Sequence, residues 1–234
     1  MKTAIMQPYF LPYLGYFQLI AAVDCFVVYD TIQYTKKGWI NRNQMLRGGR
    51  AVQFTLPLQK ASDYLDVRDR QVAESFVPSS LCAQIADAYR KAPEFARTFP
   101  LVEGLVHYKG ANLFDVIHNA LKQCCSHLGI GTPILVSSEV EGGAPVLRGV
   151  DRVIDICRRT RASTYVNPPG GRALYSGDHF RTHGLELKFL QPSLPSYTQF
   201  GSDFVPSLSI LDVMMFNDPA TIRSVMLEAA ELVD

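Results

Sequence analysis

Residues 3–30 read TAIMQPYFLPYLGYFQLIAAVDCFVVYD, and this stretch decides the fold. A short apolar run at residues 3–6 is stopped by Gln7-Pro8, and apolar side chains at helical spacing follow within residues 15–24. Residues 25–29 then form a continuous run of apolar, β-branched and aromatic side chains, the pattern of a strand that is covered on both faces. A strand, a helix and a buried strand in this order predict a βαβ unit with a right-handed crossover.

Strand and helix patterns continue to alternate along the rest of the chain. The patterns predict a half-exposed strand at residues 51–57, a helical stretch at 79–128, and a last helix that runs to Val233. Between them come further strands at residues 133–137, 163–166 and 185–190, helices at 151–161 and 177–183, and a helical region from Ser207. This alternation predicts an α/β fold with a largely parallel sheet flanked by helices. We expect one domain over residues 1–234, with residues 76–128 as a mostly helical region inserted within it.

The composition is that of a globular protein with balanced charge. The chain has 23 Lys+Arg against 22 Asp+Glu, which excludes a diffuse electrostatic footprint for nucleic acid. No window approaches the run of about 18 apolar residues that a membrane span needs. Residues 1–8 lack the basic and apolar regions of a signal peptide. We therefore expect a cytoplasmic protein that neither inserts into a membrane nor binds nucleic acid.

The five cysteines follow no pairing pattern. They are odd in number, include no CxxC pair and lie mostly among apolar residues, where a free thiol packs as a small hydrophobe. His179 and His183 stand four residues apart, but the HExxH pattern of a zinc site is missing. We expect reduced, non-essential cysteines and no metal site. The sequence identifies no cofactor and no oligomeric state.

Polar residues follow the predicted strands at the points where the strands end. In an open parallel sheet, ligands bind outside the carboxyl ends of the strands, so these residues are expected along one edge. They are Gln7 after the first strand, Asp30 after the second, Ser137 and Ser138 after the third, and Asn167 with Gly170 and Gly171 after the fourth. The two glycines allow the backbone to approach a ligand closely. This convergence predicts a single active cleft.

The stretch from Asp30 to Asn43 concentrates cationic, amide and aromatic side chains. It contains the single tryptophan, and its candidate binding residues are Gln33, Lys36, Lys37, Trp39, Asn41, Arg42 and Asn43. Arginine grips a phosphate bidentately and lysine supplies a point charge. Trp39 and Tyr34 offer rings that stack on a base or a sugar. We interpret this stretch as binding an anionic, diphosphate-bearing substrate, and a solvated surface loop is the alternative.

Several of these segments resemble the WbqC-like protein family. The similar stretches are QPYFLPYLGYF at residues 7–17, FVVYD at 26–30 and QYTKKGWINRN at 33–43. Further similar segments are residues 128–130 with Ser137-Ser138, 165–175, 197–200, and 208–212 with 216–217, so the resemblance runs from about residue 4 to residue 218. Tyr13, Tyr175 and Gln199 lie in these segments and join the candidate binding residues.

The resemblance implies a role in the synthesis of bacterial O-antigen lipopolysaccharide or a related surface polysaccharide. It suggests a glycine transferase-like enzyme that moves an acyl or aminoacyl group from an acyl donor to a nucleotide-linked amino sugar. Such chemistry needs a base for the proton of the acceptor and donors for the developing oxyanion. Asp30 is the candidate base and Gln7 a candidate donor.

Two other functions remain open. The opening strand, helix and strand resemble nucleotidyltransferase-like folds, which predicts an enzyme that forms an adenylate before an amide. The first loop, however, holds no histidine of the usual motif. The third hypothesis is a non-catalytic binding or scaffold protein of the same pathway, for which Asp30→Asn would leave partner binding intact.

Overall fold

The computed structural model describes residues 1–144, 147–201 and 203–234. Its main sheet consists of β1 (Lys2–Met6), β2 (Cys25–Val28), β5 (Ile134–Val136), β6 (Thr164–Asn167), β7 (Glu186–Gln191) and β8 (Glu231–Val233). A separate antiparallel hairpin consists of β3 (Arg42–Arg47) and β4 (Arg50–Thr55). The strands of the main sheet lie in the order β5-β2-β1-β6-β7-β8. All its pairings are parallel except that of β7 with β8, which confirms the predicted α/β class.

Helices connect and flank these strands. They are α1 (Leu14–Ala21), α2 (Pro78–Tyr89), α3 (Phe95–Val106), α4 (Leu113–Leu128), α5 (Ser137–Glu141), α6 (Gly149–Arg159), α7 (Gly177–Thr182), α8 (Ile210–Phe216) and α9 (Pro219–Thr221), which continues into a π-helical segment at Ile222–Leu227. Short 3₁₀ turns lie at Val67–Asp69 and Pro169–Gly171. None of the helices in the described part of the chain combines the length and apolar character that crossing a membrane requires.

The central strands are buried because helices cover both faces of the sheet. Successive side chains of a strand point to opposite faces, and here Phe26 and Val28 belong to one hydrophobic cluster while Val27 belongs to another. The larger cluster includes α1 and the three helices α2, α3 and α4 that follow one another between β4 and β5. The smaller cluster packs α6 and α7 against the opposite face. The continuous apolar run of β2 is therefore the signature of a strand between two layers.

The strand order places the predicted strand-end residues at one edge. Numbered among the parallel strands alone, the order is 3-2-1-4-5, which matches the first five strands of the doubly wound dinucleotide-binding sheet. The register pairs Met6 with Val28, Val28 with Val136, and Ala4 with Val166. The residues that follow these strands therefore share the carboxyl edge, as predicted. The order reverses between β1 and β6, so Gln7 and Asn167 flank the topological switch point.

Two elements differ from the sequence-based expectation. Residues 42 and 43, expected in a loop, begin β3 and pair with the predicted strand that becomes β4. The predicted last helix to Val233 is wrong at its end, because Glu231–Val233 forms β8 and pairs with β7. Helical periodicity is a local signal, whereas this strand forms because β7 presents an unpaired edge from a distant part of the chain.

Candidate functional site

A cleft of about 490 Å³ opens at the carboxyl ends of β2 and β5. Its polar lining includes Asp30, Arg68, Asp115, His118, Lys122 and Ser138, and we call it the polar cleft. Four parts of the chain supply these side chains: the segment after β2, the start of α5, the 3₁₀ turn Val67–Asp69 and the helix α4. The cleft therefore lies where a doubly wound sheet is expected to bind its ligands.

Asp30 is the best-organised side chain of the polar cleft. Its Oδ1 atom accepts hydrogen bonds from Ser137 Oγ at 2.7 Å and from Ser138 N at 3.0 Å, and its Oδ2 atom accepts one from Ser138 Oγ at 2.7 Å. Burial alone raises the pKa of a carboxyl group, but these hydrogen bonds outweigh burial and hold the pKa of Asp30 below its ordinary value. The structure thus joins three predicted site residues around a carboxylate that is ionised at neutral pH.

A buried ion pair between Arg152 and Glu141 supports this arrangement. Arg152 on α6 donates from Nε to Glu141 Oε1 at 2.7 Å and from Nη2 to Glu141 Oε2 at 2.9 Å. The same guanidinium donates to Thr31 O at 2.8 Å and to Ser137 Oγ at 3.3 Å, and it stacks over the Tyr29 ring. Charged hydrogen bonds that satisfy a buried arginine hold their acceptors in place. Arg152 therefore positions the segment after β2 and the hydroxyl that contacts Asp30.

Asn112 joins the α4 wall of the polar cleft to the wall that contains Asp30, through the backbone of Arg68. Its Oδ1 atom accepts from Phe114 N at 2.9 Å and Asp115 N at 3.3 Å, which caps α4, and its Nδ2 atom donates to Arg68 O at 2.5 Å. The backbone of Arg68 in turn donates to Asp30 O at 3.2 Å. The Arg68 guanidinium lies 3.9 Å from Asp30 Oδ2 and is half exposed. These hydrogen bonds fix the segment after β2, the turn at Val67–Asp69 and the helix α4 relative to one another.

His118 lies one turn into α4 and lines the same cleft. Its ring stacks on Phe114 with a centroid distance of 5.4 Å. The Nε2 atom is buried without a hydrogen-bond partner in the described part of the chain. Burial lowers the pKa of His118, the positive charge of Lys122 lowers it further, and the carboxylates of Glu139, Asp115 and Asp30 oppose this shift. A neutral imidazole is a suitable proton acceptor near neutral pH.

Most residues of the predicted binding stretch form hydrogen bonds or ion pairs with other parts of the protein. Asn41 accepts from Tyr34 Oη at 2.9 Å and donates to Leu56 O at 2.7 Å, and Asn43 donates to Leu11 O at 2.8 Å. Tyr34 is buried beneath the Arg70 guanidinium. The two asparagines therefore anchor the stretch to the hairpin and to the first loop.

Two of the three cations of this stretch, Lys36 and Lys37, are exposed, whereas Arg42 is half-buried and its Nε atom has no hydrogen-bond partner within the described residues. Lys36 pairs with Asp63 at 2.9 Å, and Gln33 donates to the backbone oxygen of Asp63 at 2.9 Å. Arg42 donates to the backbone oxygen of Lys36. Lys37 is exposed and forms no ion pair within the described residues. Their assignment to phosphate binding stays a prediction.

A second cleft lies beside the loop that follows β1. It has a volume of about 380 Å³, and its lining includes Tyr9, Pro12, Tyr13, Trp39, Gln44 and Ser207. We call it the aromatic cleft. Gln7 is exposed nearby, with its Oε1 atom 3.5 Å from Tyr9 Oη. The structure thus brings three predicted binding residues, Tyr13, Trp39 and Asn43, to one cavity.

The remaining predicted residues lie in two other places. Asn167 is buried against Gly171, where a Cβ atom would stand 1.8 Å from Asn167 Nδ2, so a larger residue at position 171 would displace the Asn167 side chain. Gly170 lies in the same turn, and Tyr175 packs edge-on against Tyr165. Gln199 lies elsewhere and donates to Asp212 Oδ2 at 2.6 Å. Asn167, Gly170 and Gly171 lie beside the switch point. Gln199 belongs to a buried hydrogen-bond network around Asp212.

Sequence reasoning missed Arg68, His118 and Arg152. They come from three elements that are separated from Asp30 by dozens of residues, and no motif joins them. A signal for the α4 wall is nevertheless present, since Asn112 before an apolar helical pattern is a typical N-cap. Among the described residues, no group of three or more His, Cys, Asp or Glu side chains is placed to hold a metal ion.

The strand order and the polar cleft define a doubly wound α/β protein with a candidate ligand site at the carboxyl edge of its sheet. A family model matches residues 7–224, and the chain belongs to the WbqC-like protein family. It is 29% identical over 220 residues to the uncharacterized protein Rv1507c of Mycobacterium tuberculosis (strain ATCC 25618 / H37Rv), a match that covers 92% of this chain and 93% of that protein. No solved structure matches this chain.

Proposed function

We propose that this protein is an acyl or aminoacyl transferase that acylates the amino group of a nucleotide-linked amino sugar during synthesis of bacterial O-antigen or a related surface polysaccharide. Membership in the WbqC-like family supports the pathway, through the resemblance described above. One observation carries the chemistry: an ionised, buried carboxylate and an imidazole of lowered pKa line the same cleft.

The two side chains suit two different tasks. A carboxylate with a lowered pKa is a weak base, so Asp30 fits the binding of the acceptor ammonium group better than the removal of its proton. The imidazole of His118 fits the role of proton acceptor. Arg68 and Lys122 supply positive charge for the developing oxyanion or for a phosphate of the donor.

The proposed step balances as an ordinary acyl transfer. The acceptor ammonium bound at Asp30 first gives one proton to water. The resulting amine nitrogen forms a bond to the acyl carbonyl carbon, and the bond from that carbon to the leaving group breaks. The leaving group departs with the electron pair, and the proton of the amine passes to His118. No residue of the protein is acylated in this scheme, which agrees with the absence of a nucleophile elbow in the sequence.

The test uses a uridine diphosphate-linked amino sugar as acceptor and a glycyl thioester as donor, with the N-acylated product measured by mass spectrometry. Asp30→Asn removes the charge that binds the amine and should lower kcat/KM by about 10- to 100-fold. His118→Gln should lower kcat by roughly 100-fold or more. His127→Gln is the matched control, because His127 lies on the same helix and also has a pKa lowered by burial, but it does not line the polar cleft.

Equal rates for wild type, Asp30→Asn and His118→Gln would refute the proposed roles. Absence of product with both uridine- and guanosine-linked amino sugars, and with both thioester and free-acid donors, would refute the activity itself.

An adenylate-forming amide ligase is the second candidate, because the 3-2-1-4-5 strand order is shared with nucleotide-binding doubly wound sheets. Such an enzyme requires ATP and releases AMP when it is given a free carboxylic acid. The transferase proposed here requires no ATP when it is given an activated acyl donor. Measuring AMP release with free glycine therefore separates the two functions.

A further inference from the structure

The aromatic cleft is a neutral, ring-lined cavity. Three of its lining residues, Tyr9, Tyr13 and Trp39, present aromatic rings, and none of the described residues that line it carries a charge. Trp39 is 45% exposed, which is unusual for the largest apolar side chain. Its ring is therefore not required by the core and remains available to a ligand.

The walls of the aromatic cleft are fixed by hydrogen bonds outside the cleft. Phe10 N donates to Ile40 O at 3.0 Å, which holds the backbone next to Trp39 against the first loop. Leu11 O accepts from both Asn43 Nδ2 at 2.8 Å and Ser209 Oγ at 2.7 Å. These bonds hold Leu11 at a φ of 47°, a strained conformation of the kind that clusters at active sites, ligand clamps and switch regions. The backbone segments that carry the three rings are thus held together within the protein itself.

Apart from the hydroxyl groups of its tyrosines, the polar side chains that line the cleft are Asn43, Gln44 and Ser207. The Asn43 amide is already used, since its nitrogen bonds the first loop and its oxygen accepts from Gln44 N at 2.8 Å. The Gln44 side chain has no hydrogen-bond partner within the described residues and offers both a donor and an acceptor. A sugar ring can stack on these side chains through its C–H face, but it carries hydroxyl groups around its whole periphery, and each hydroxyl left against an apolar wall without a partner costs free energy. A nucleobase has two apolar faces and confines its polar atoms to its edge.

We propose that the aromatic cleft binds the nucleobase of the nucleotide-linked substrate, stacked against Trp39 and Tyr13 with its edge on Gln44. This inference rests on the proposed function, which makes the acceptor a nucleotide-linked sugar. Two cations flank the cleft residues in sequence: Lys37 stands two residues before Trp39, and Arg42 stands next to Asn43. They are the candidates for the diphosphate that joins the base to the sugar.

The experiment uses the fact that Trp39 is the only tryptophan of the chain, so its fluorescence reports on this cleft alone. Uridine, guanosine, adenosine and thymidine 5′-diphosphates are titrated into the full-length protein. Ribose 5-phosphate and inorganic pyrophosphate are the probes without a base. We expect saturable quenching by at least one nucleotide and none by the other two compounds at equal concentration.

Variants separate stacking from a general loss of structure. Tyr13→Ala keeps the reporter and should weaken nucleotide binding by roughly 5- to 150-fold, the range for losing one base-stacking ring. Trp39→Ala, followed by calorimetry, should weaken binding to a similar extent, and its exposed position makes misfolding a minor concern. Tyr64→Ala is the matched control, because that tyrosine is 85% exposed and lines neither cleft.

The inference is overturned if no nucleotide binds by fluorescence or calorimetry, or if ribose 5-phosphate quenches as strongly as the nucleotides. It is also overturned if Trp39→Ala leaves the KM for a nucleotide-linked amino sugar unchanged while acyl transfer proceeds, in which case the proposed function stands. Nucleotide quenching without any acyl transfer would sustain the nucleobase site and refute the transferase.

Discussion

Asp30 and Asp212 are two buried carboxyl groups whose pKa values are shifted in opposite directions. Asp30 receives three hydrogen bonds from two consecutive serines at the start of α5, and these outweigh burial in setting its pKa. Asp212 receives hydrogen bonds from Tyr89, Tyr197 and Gln199, yet burial dominates and raises its pKa. Asp30 is therefore held as an ion at the polar cleft, whereas Asp212 is an acceptor that ties α8 to α2 and to residues 197–199.

The lowered pKa of Asp30 makes its contribution to stability dependent on pH. A carboxyl group whose pKa is lower in the folded state stabilises the fold above its ordinary pKa, here 3.8, and loses this effect as the pH falls through the folded-state pKa. At pH 7, Asp30→Asn should reduce the free energy of unfolding by about 1.5–3 kcal/mol, since hydrogen bonds to a charged group are lost. Urea denaturation of both proteins at several pH values measures the difference. A difference that stays constant down to pH 3 would contradict the assignment.

At the level of elements, Asn112 is both the cap of α4 and the link between α4 and the turn that carries Arg68. Asn112→Ala should destabilise the protein by about 0.5–2 kcal/mol, the usual effect of losing an N-cap. Asn112→Asp keeps the cap but loses the donor to Arg68 O, so it should retain most of the stability while loosening the polar cleft. Thermal denaturation gives the first effect, and hydrogen exchange at residues 67–69 gives the second. Identical behaviour of the two variants would exclude a separate linking role.

The C-terminal strand β8 protects the edge of the sheet. It pairs with β7 through Phe189 and Val233, Leu190 and Leu232, and Gln191 and Glu231. Deleting residues 231–234 should lower Tm by several degrees and promote aggregation, because β7 then presents an unpaired edge. Asp234→Ala is the control, since it removes only the exposed pair with Lys188. Light scattering measures the aggregation and calorimetry measures the Tm. Equal aggregation and equal Tm values for the deletion variant and Asp234→Ala would contradict this view.

At the scale of the whole molecule, the reactivity of the five free cysteines reports on whether the two hydrophobic clusters are intact. Cys25 and Cys157 lie in the smaller hydrophobic cluster, and Cys82, Cys124 and Cys125 lie in the larger one. Burial raises the pKa of Cys125 and Cys157 to about 12, so the reactive thiolate is scarce at neutral pH.

Native protein should therefore react with a thiol reagent no faster than it unfolds, and all five thiols should react in denaturant. Single replacements by alanine or serine should leave activity intact in every variant that folds. A thiol that reacts at once in native protein, or one folded but inactive variant, would show that a cysteine is accessible or needed.

The sequence by itself determined the elements whose signals are local. The apolar runs of β1 and β2 and the spacing within α4 each follow from neighbours along the chain. From these, the rule for parallel sheets placed Gln7, Asp30 and Ser137 along one edge, and the register confirms that position. Family membership was also readable, because its signature segments are contiguous.

Only the tertiary structure decided which partners these elements take. The pairing of β8 with β7 and of β3 with β4 depends on strands whose positions the local pattern does not encode. The polar cleft needs Arg68 and His118, which reach Asp30 only after folding. Burial likewise placed Tyr34, a candidate stacking ring, in the core, whereas Tyr13 lines the aromatic cleft. Hydrogen bonds and burial depend on residues far apart in sequence, and for that reason no local pattern could have predicted them.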